Sequence, residues 1–307
     1  MSDGSDGDRL RVICGPTAAG KSAIAMMLAE RFDATIVSAD SRQVYRRFDI
    51  GTAKPSIGER TRVRHRGIDL VEPDDRYSAG LWAEMARAAL AEAQLTRRTP
   101  VIVGGTGFYI RALTIPLSQT EQLDPGRRSA LNRLLGGWTT SELRRWCDQL
   151  DPRVAHLGRT QLLRALETAL LAGVRISTVR ELAPRQEGIS ARYLVIDPAD
   201  GLAERIARRI RQMLDSGWLD EVRELDAGLS EDAAAWNATG YAVMREHTRS
   251  RLSREEAIDR VIIQTRQYAK RQRTWFRHQL SGDVVTTLDP RRQDAAAEAV
   301  AWWERAA

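Results

Sequence analysis

Of the 47 basic residues in this 307-residue chain only three are lysines, Lys21, Lys54 and Lys270. The first sits where a lysine does chemistry. Gly15-Pro16-Thr17-Ala18-Ala19-Gly20-Lys21-Ser22 follows the apolar run Val12-Ile13-Cys14 and opens a segment carrying Ile24, Met26, Met27 and Leu28. The spacing fits the phosphate-binding loop GxxxxGK[ST] in the strand-loop-helix context it requires. Its glycines let successive N–H groups turn inward, and the helix N-terminus adds partial positive charge where phosphate would sit. Lys21 supplies a point charge and Ser22 a hydroxyl suited to Mg²⁺. The expected ligand is a diphosphate or polyphosphate, and ATP is the default for such loops.

The other chemistry-bearing residues lie at strand ends. Asp40 follows the apolar strand Ala34 to Ser38, where ligands bind in open parallel sheets. A carboxylate there either ties a loop to nearby N–H groups or acts as a general base facing the diphosphate. Thr106 follows Val101-Ile102-Val103 through Gly104-Gly105 and offers a hydroxyl but no carboxylate. Asp197, after Tyr193 to Ile196, superficially fits a Mg²⁺-holding Asp, but Pro198 beside it indicates a turn. No lysine follows an asparagine, so the Asn-Lys-x-Asp guanine-reading motif of GTPases is missing.

The positioning elements follow from the patterning. Apolar strands alternate with helical segments up to Pro116, which indicates a parallel α/β sheet. Ile68 to Val71 reads as a short strand. Ser78 caps a helix running to about Arg98, with Leu81, Met85, Ala88, Ala89 and Leu95 on its inner face. From Pro116 to about Gly188 only helical patterns occur: Pro125 to Leu135, one opened by the capping box Thr139 to Glu142, and Thr160 to Leu171 ending at Gly173. The last long helix starts at the capping box Ser253 to Glu256. Drawn as a wheel, it gathers Ile258, Val261, Ile262, Thr265, Ala269, Gln272 and Phe276 on one face. Arg266, Lys270, Arg273 and Arg277 form an adjoining basic stripe, and Trp275 is expected in the core.

The predicted fold is α/β, a P-loop NTPase-like parallel sheet flanked by helices, with an all-helical insertion domain. Residues 1–9 are expected to be disordered, 10–117 and 190–307 to form the catalytic core, and 118–189 the insertion. The net charge of +6 suggests an anionic partner, and Cys14 and Cys147 form no CxxC pair. No signal peptide or apolar 18-mer is present, so a cytoplasmic protein without a membrane span is expected.

Nine blocks in order resemble the tRNA dimethylallyltransferase family: Gly15 to Ser22; Asp40-Ser41-Arg42-Gln43-Val44-Tyr45; Asp49 to Pro55; His65 with Asp69; Tyr77-Ser78-Ala79; Gly104 to Tyr109; Arg164-Ala165-Leu166-Glu167; Gly240-Tyr241 with Arg245-Glu246; and Thr265 to Gln272 with Trp275. The resemblance spans roughly residues 10 to 280. It implies transfer of a dimethylallyl group from dimethylallyl diphosphate to N6 of adenosine-37 in tRNAs reading codons that begin with U. It further implies that Asp40 takes the amine proton, that Thr106 sits by the scissile oxygen, and that Lys21 with Mg²⁺ on Ser22 neutralises the departing pyrophosphate. Anticodon-loop contacts carry over to Asp40, Ser41, Arg42, Gln43, Thr106, Arg128, and the segment Gln161, Leu162, Leu163, Arg164 and Ala165. Lys270, Arg271 and Arg273 become candidate phosphate contacts, and a monomer is expected.

Two departures stand out. Between Asp151-Pro152 and Arg164 the chain is several residues shorter than the usual family form, and Asn237 stands where many members carry Arg or Gln, leaving Arg245 as the available substitute. Two other enzymes share the loop: a relative that prenylates free AMP or ADP, and a small-molecule kinase using ATP. The insertion and the basic helix speak against the first, since a mononucleotide needs neither. A non-enzymatic RNA-binding protein with a relic loop would bind RNA in a salt-dependent way and transfer nothing.

Overall fold

The computed structural model describes residues 9–115, 124–182, 188–280 and 284–305. All but Arg9 of the expected disordered start lies outside these residues. The chain divides into two compact units, 1–115 with 188–307, and 116–187.

The first unit is built on a six-stranded parallel sheet. Its strands are β1 (Leu10–Cys14), β2 (Ala34–Ser38), β3 (His65–Arg66), β4 (Thr99–Gly104), β5 (Ala191–Ile196) and β6 (Val285–Leu288), in the order β3-β2-β4-β1-β5-β6. β1, β2 and β4 read as near-continuous apolar runs because helices cover both faces of such a sheet. Around it lie α1 (Lys21–Arg31), α2 (Ile57–Arg62), α3 (Ala79–Leu95) and α4 (Gly107–Thr114). The second unit holds α5 (Pro125–Gly136), α6 (Thr140–Leu150), α7 (Arg159–Ala172) and α8 (Ile176–Leu182), after which the first unit resumes with α9 (Leu202–Asp215), α10 (Trp218–Gly228), α11 (Tyr241–Thr248), α12 (Arg254–Gln279) and α13 (Ala295–Glu304).

One core cluster joins Ile13, Ile36, Val101, Val103, Leu194 and Ile196 of the sheet to Met26 and Leu28 of α1 and to Trp302 and Trp303 of α13. The helical unit has its own core of Leu135, Leu143, Cys147, Leu162, Ala165 and Leu166. The capping boxes at Thr139 and Ser253 and the Ser78 cap all form, and Gly173 ends α7 in the left-handed conformation.

Two expectations are corrected. The short edge strand is His65–Arg66, not Ile68 to Val71; Val71 only makes an isolated bridge with Tyr45. The inner face of α3 is not the stripe of large aliphatics: Leu81 and Leu95 are exposed, while Ala79, Trp82, Ala83, Ala86, Ala89 and Ala93 are buried. Alanines let the helix lie close to the sheet, and the one large residue among them, Trp82, donates its indole N–H to Ser38 O at 2.8 Å. That bond anchors the carboxyl end of β2, two residues before Asp40.

Candidate active site

The loop after β1 is held open from several sides. Gly15 adopts φ +139°, and a Cβ there would lie 2.2 Å from Ile196 O of the neighbouring strand, so only glycine lets the loop leave the sheet. Ala18 stands at φ 60° and its carbonyl accepts from Arg205 Nε of α9 at 2.9 Å. Gln272, buried in α12, accepts from Thr17 N at 2.8 Å and donates to Gly105 O at 2.8 Å, tying the loop to the turn after β4. That turn presses on the Asp40 segment: a Cβ on Gly104 would sit 2.1 Å from Ala39 O. Thr106 N donates to Ala39 O at 3.0 Å, and Thr106 Oγ1 accepts from Ser41 N at 3.0 Å.

Lys21, at the head of α1, donates to Pro16 O at 2.7 Å, and its other two donors find no acceptor among the described residues. Burial lowers its pKa to about 8; Asp40 works against that shift and Arg209 adds to it. Asp40, Lys21 and Arg209 therefore share one electrostatic neighbourhood. Asp40 accepts from Arg42 N at 2.8 Å through Oδ1, and no hydrogen bond engages its second oxygen among the described residues. Both roles open to it are thus compatible: one oxygen holds the loop, and the other is left without a hydrogen bond among the described residues. Burial beside Asp40 raises the Tyr268 phenol to about 12, a shift that Arg42 and a hydrogen bond with Thr106 oppose.

Asp40, Arg42, Thr17, Arg209 and Tyr268 line a small cavity of about 60 Å³, whose remaining wall is largely apolar and includes Ile206, Ile210, Met213, Trp218 and Val261. Arg209 and Met213 also border a wider cavity of about 600 Å³ edged by Asp49, Lys54 and Asp69. A phosphate cradle, a carboxylate with an open oxygen and an apolar pocket thus converge.

The remaining sequence candidates are distributed as follows. Ser41 and Arg42 border the site, whereas Gln43 is spent on Ser38 Oγ, Thr52 O and Ala53 O and holds its own loop. In the helical unit Leu162 and Ala165 are buried in the core, so an RNA contact by that segment falls to Gln161 and Arg164. Leu163 packs, half-buried, against the same core. Arg128 and Arg164 both pair with Glu167; burial pushes that carboxyl up, but the hydrogen bonds from Arg128 and Asn132 outweigh it and hold the pKa low. On α12 Lys270 and Arg271 are exposed, while Arg273 is bound to Asp197 and to Ala199 O. Asp197 is therefore occupied by a guanidinium. Trp275 lies half-buried against Gly107, as a packing residue. Asn237 turns to Ala234 O, and Arg245 stacks over Trp236 at 4.4 Å.

Among the described residues no group of three or more His, Cys, Asp or Glu could hold a metal alone. The exposed Ser22 hydroxyl beside Lys21 suits instead a hard cation that arrives with a diphosphate and keeps its waters.

Sequence reasoning missed Arg209, Arg205 and Gln272 as parts of this site. The signal for Arg209 was present: Leu202, Ile206, Arg209 and Met213 follow a 4-3-4 spacing, which places an arginine on the inward stripe of α9.

The fold and site define a P-loop α/β protein with a carboxylate and an apolar pocket beside its phosphate loop. The IPP transferase family model matches residues 43–279 and the isopentenyl transferase model residues 8–69. The tRNA dimethylallyltransferase of Cyanothece sp. is 40% identical over 91% of this chain and 94% of its own length, and that of Anaeromyxobacter sp. 39% identical over 88% and 90%. A crystal structure of a tRNA isopentenylpyrophosphate transferase from Bacillus halodurans aligns with TM-score 0.65 at 32% identity, over 92% of this chain and 90% of that one. A eukaryotic dimethylallyltransferase acting on tRNA shares the fold, with TM-score 0.76 at 23% identity over 96% and 77%. The chain belongs to the IPP transferase family.

Proposed function

We propose that this protein transfers a dimethylallyl group from dimethylallyl diphosphate to N6 of adenosine-37 in tRNAs reading codons that begin with U, giving N6-isopentenyladenosine and pyrophosphate. The observation that carries the reading is an under-partnered Lys21 in the phosphate loop within electrostatic reach of Asp40, a carboxylate with one oxygen unengaged that lines a small, largely apolar cavity.

An exocyclic adenine amine is a weak nucleophile because its lone pair is delocalised into the ring, so the attacked carbon must be strongly electrophilic. An allylic diphosphate provides that carbon. The amine nitrogen bonds to C1 of the prenyl group, the C1–O bond breaks with its electron pair going to pyrophosphate, and the amine proton passes to Asp40. Loop N–H groups, Lys21 and Arg209 face the charge that builds on the leaving group, in a site where burial strengthens each interaction. Mg²⁺ held by Ser22 would supply further neutralisation of the diphosphate when bound with it. Thr106, fixed by Ser41 N, sits beside Asp40 to position the adenine edge or the bridging oxygen.

The adenine leaves its stack to reach this centre, a base-flipping step that costs a few kcal/mol. Phosphate contacts repay it: Lys270 and Arg271 from α12, with Gln161, Arg128 and Arg164 of the helical unit and Ser41 and Arg42 near the cavity, are the residues we assign to the anticodon loop. No described helix is long and apolar enough to cross a membrane. We assign the protein to the cytoplasm, where its tRNA is, and expect it to act as a monomer. Mass spectrometry of bulk tRNA from a deletion strain tests the assignment: N6-isopentenyladenosine should disappear and return on complementation, and its persistence would contradict the reading.

A further inference from the structure

Among the residues lining the 60 Å³ cavity is a tryptophan whose placement is over-determined. Trp218 opens α10 and is 1% exposed. Its ring is wedged between two glycines: a Cβ on Gly51 would lie 2.2 Å from Nε1, and one on Gly240 would lie 2.6 Å from Cη2. Tyr241 packs edge-on against it with ring centroids 5.5 Å apart. That tyrosine is itself fixed, because its hydroxyl accepts from Gly51 N at 3.0 Å and donates to Glu221 Oε1 at 2.5 Å. The indole N–H of Trp218 is buried with no acceptor among the described residues. An unmade hydrogen bond is unfavourable in a core, so the ring is held by shape and not by polar contacts. Its bulk is what the fold retains.

The cavity size fits that view. A cavity of about 60 Å³ has room for only a few water-sized groups, which suits a short apolar chain over a long one. A second prenyl unit would have to displace a ring with no free space behind it, and overpacking of a close-packed wall is strongly resisted.

We propose that Trp218 sets the prenyl chain length, closing the pocket behind a five-carbon group and excluding a ten-carbon one. This rests on the assignment of the cavity to the prenyl group of dimethylallyl diphosphate. The reaction balances in the same way for either donor: nitrogen bonds to C1, pyrophosphate leaves with the C1–O electron pair, and one proton goes to Asp40.

The test compares kcat/KM for geranyl and dimethylallyl diphosphate on unmodified tRNA, in the wild type, Trp218→Phe and Trp218→Leu. The ratio of the two values does not depend on the fraction of active enzyme, so partial misfolding cannot imitate the result. The expected outcome is a geranyl-to-dimethylallyl ratio raised at least tenfold in Trp218→Leu and by less in Trp218→Phe. A ratio unchanged in variants that still transfer the five-carbon group would overturn the proposal and leave the functional reading standing. Failure of the wild type to transfer even dimethylallyl would overturn both.

Discussion

Two lysines of the first unit occupy similar chemical settings and have opposite partnerships. Lys54, whose side chain is 1% exposed, spends all three ammonium donors: on Tyr45 O at 2.5 Å, Asp49 Oδ1 at 2.6 Å and Asp69 Oδ1 at 2.5 Å. Lys21 spends one, on Pro16 O. A buried ammonium is expensive unless paired, and the fold meets that cost completely at Lys54 and incompletely at Lys21, whose pKa falls to about 8 in consequence. The lysine with every donor engaged holds two loops together; the one left short is the one that can meet a diphosphate. The same contrast separates two carboxylates. Burial pushes Asp69 up, but hydrogen bonds from Lys54 and Arg60 outweigh it and keep its pKa low, whereas Asp40 keeps one oxygen open.

The largest effect expected from this contrast is on catalysis. Asp40→Ala should lower the single-turnover rate of prenyl transfer by about 10³-fold, the scale of lost general base catalysis, while tRNA affinity stays within a few-fold. Full activity in that variant would remove Asp40 from the mechanism. Lys54→Met should act on the fold instead. It leaves Asp49 without its ammonium partner and Asp69 with Arg60 alone, and because both carboxylates are partly exposed the cost should be about 2 kcal/mol in urea unfolding, below the range for a fully buried pair. An unchanged midpoint would mean the knot is dispensable.

The Lys21 shift gives the contrast a pH signature. Its folded pKa lies below the ordinary lysine value, so the ammonium is present below about pH 8 and is lost as pH rises through it. Affinity of the free enzyme for pyrophosphate, measured calorimetrically, should therefore fall above pH 8 by up to about tenfold per unit, and Lys21→Arg should flatten that fall. A wild-type profile flat from pH 7 to 9.5 would show that Lys21 is already charged by other means. The smallest effect belongs to the third lysine: Lys270→Ala with Arg271→Ala should reduce the salt slope of tRNA binding by up to about two units. An unchanged slope would return that stripe of α12 to ordinary solvated surface.

What the sequence made legible was what local spacing encodes. The phosphate loop, the capping boxes at Thr139 and Ser253, the buried strands and the buried face of α12 all announce themselves in spacing over a few residues, and they form as the pattern implies. Asp40 and Thr106 were readable because strand ends collect ligand-binding residues in parallel sheets, and the structure brings them together through Ser41. Arg209, Gln272 and Arg205 were harder to find, since each reaches the loop from a helix more than 180 residues away in sequence. Arg273 is the reverse case: its helical phase is right for the basic stripe, but Asp197, seventy-six residues earlier in the chain, takes it up. In α3 the large aliphatics of the sequence pattern drew the inner face to the wrong side, because a close helix-sheet contact selects alanines.

The central claim is that the loop holds a departing pyrophosphate, not the terminal phosphoryl group of a nucleotide, while Asp40 takes a proton from adenine. Incubating the protein with unmodified tRNA, C1-labelled dimethylallyl diphosphate and ATP tests it in one experiment. One label on a tRNA adenosine for each pyrophosphate released, with ATP intact, is the predicted result; ATP consumed with phosphoryl transfer and no label on RNA would contradict it.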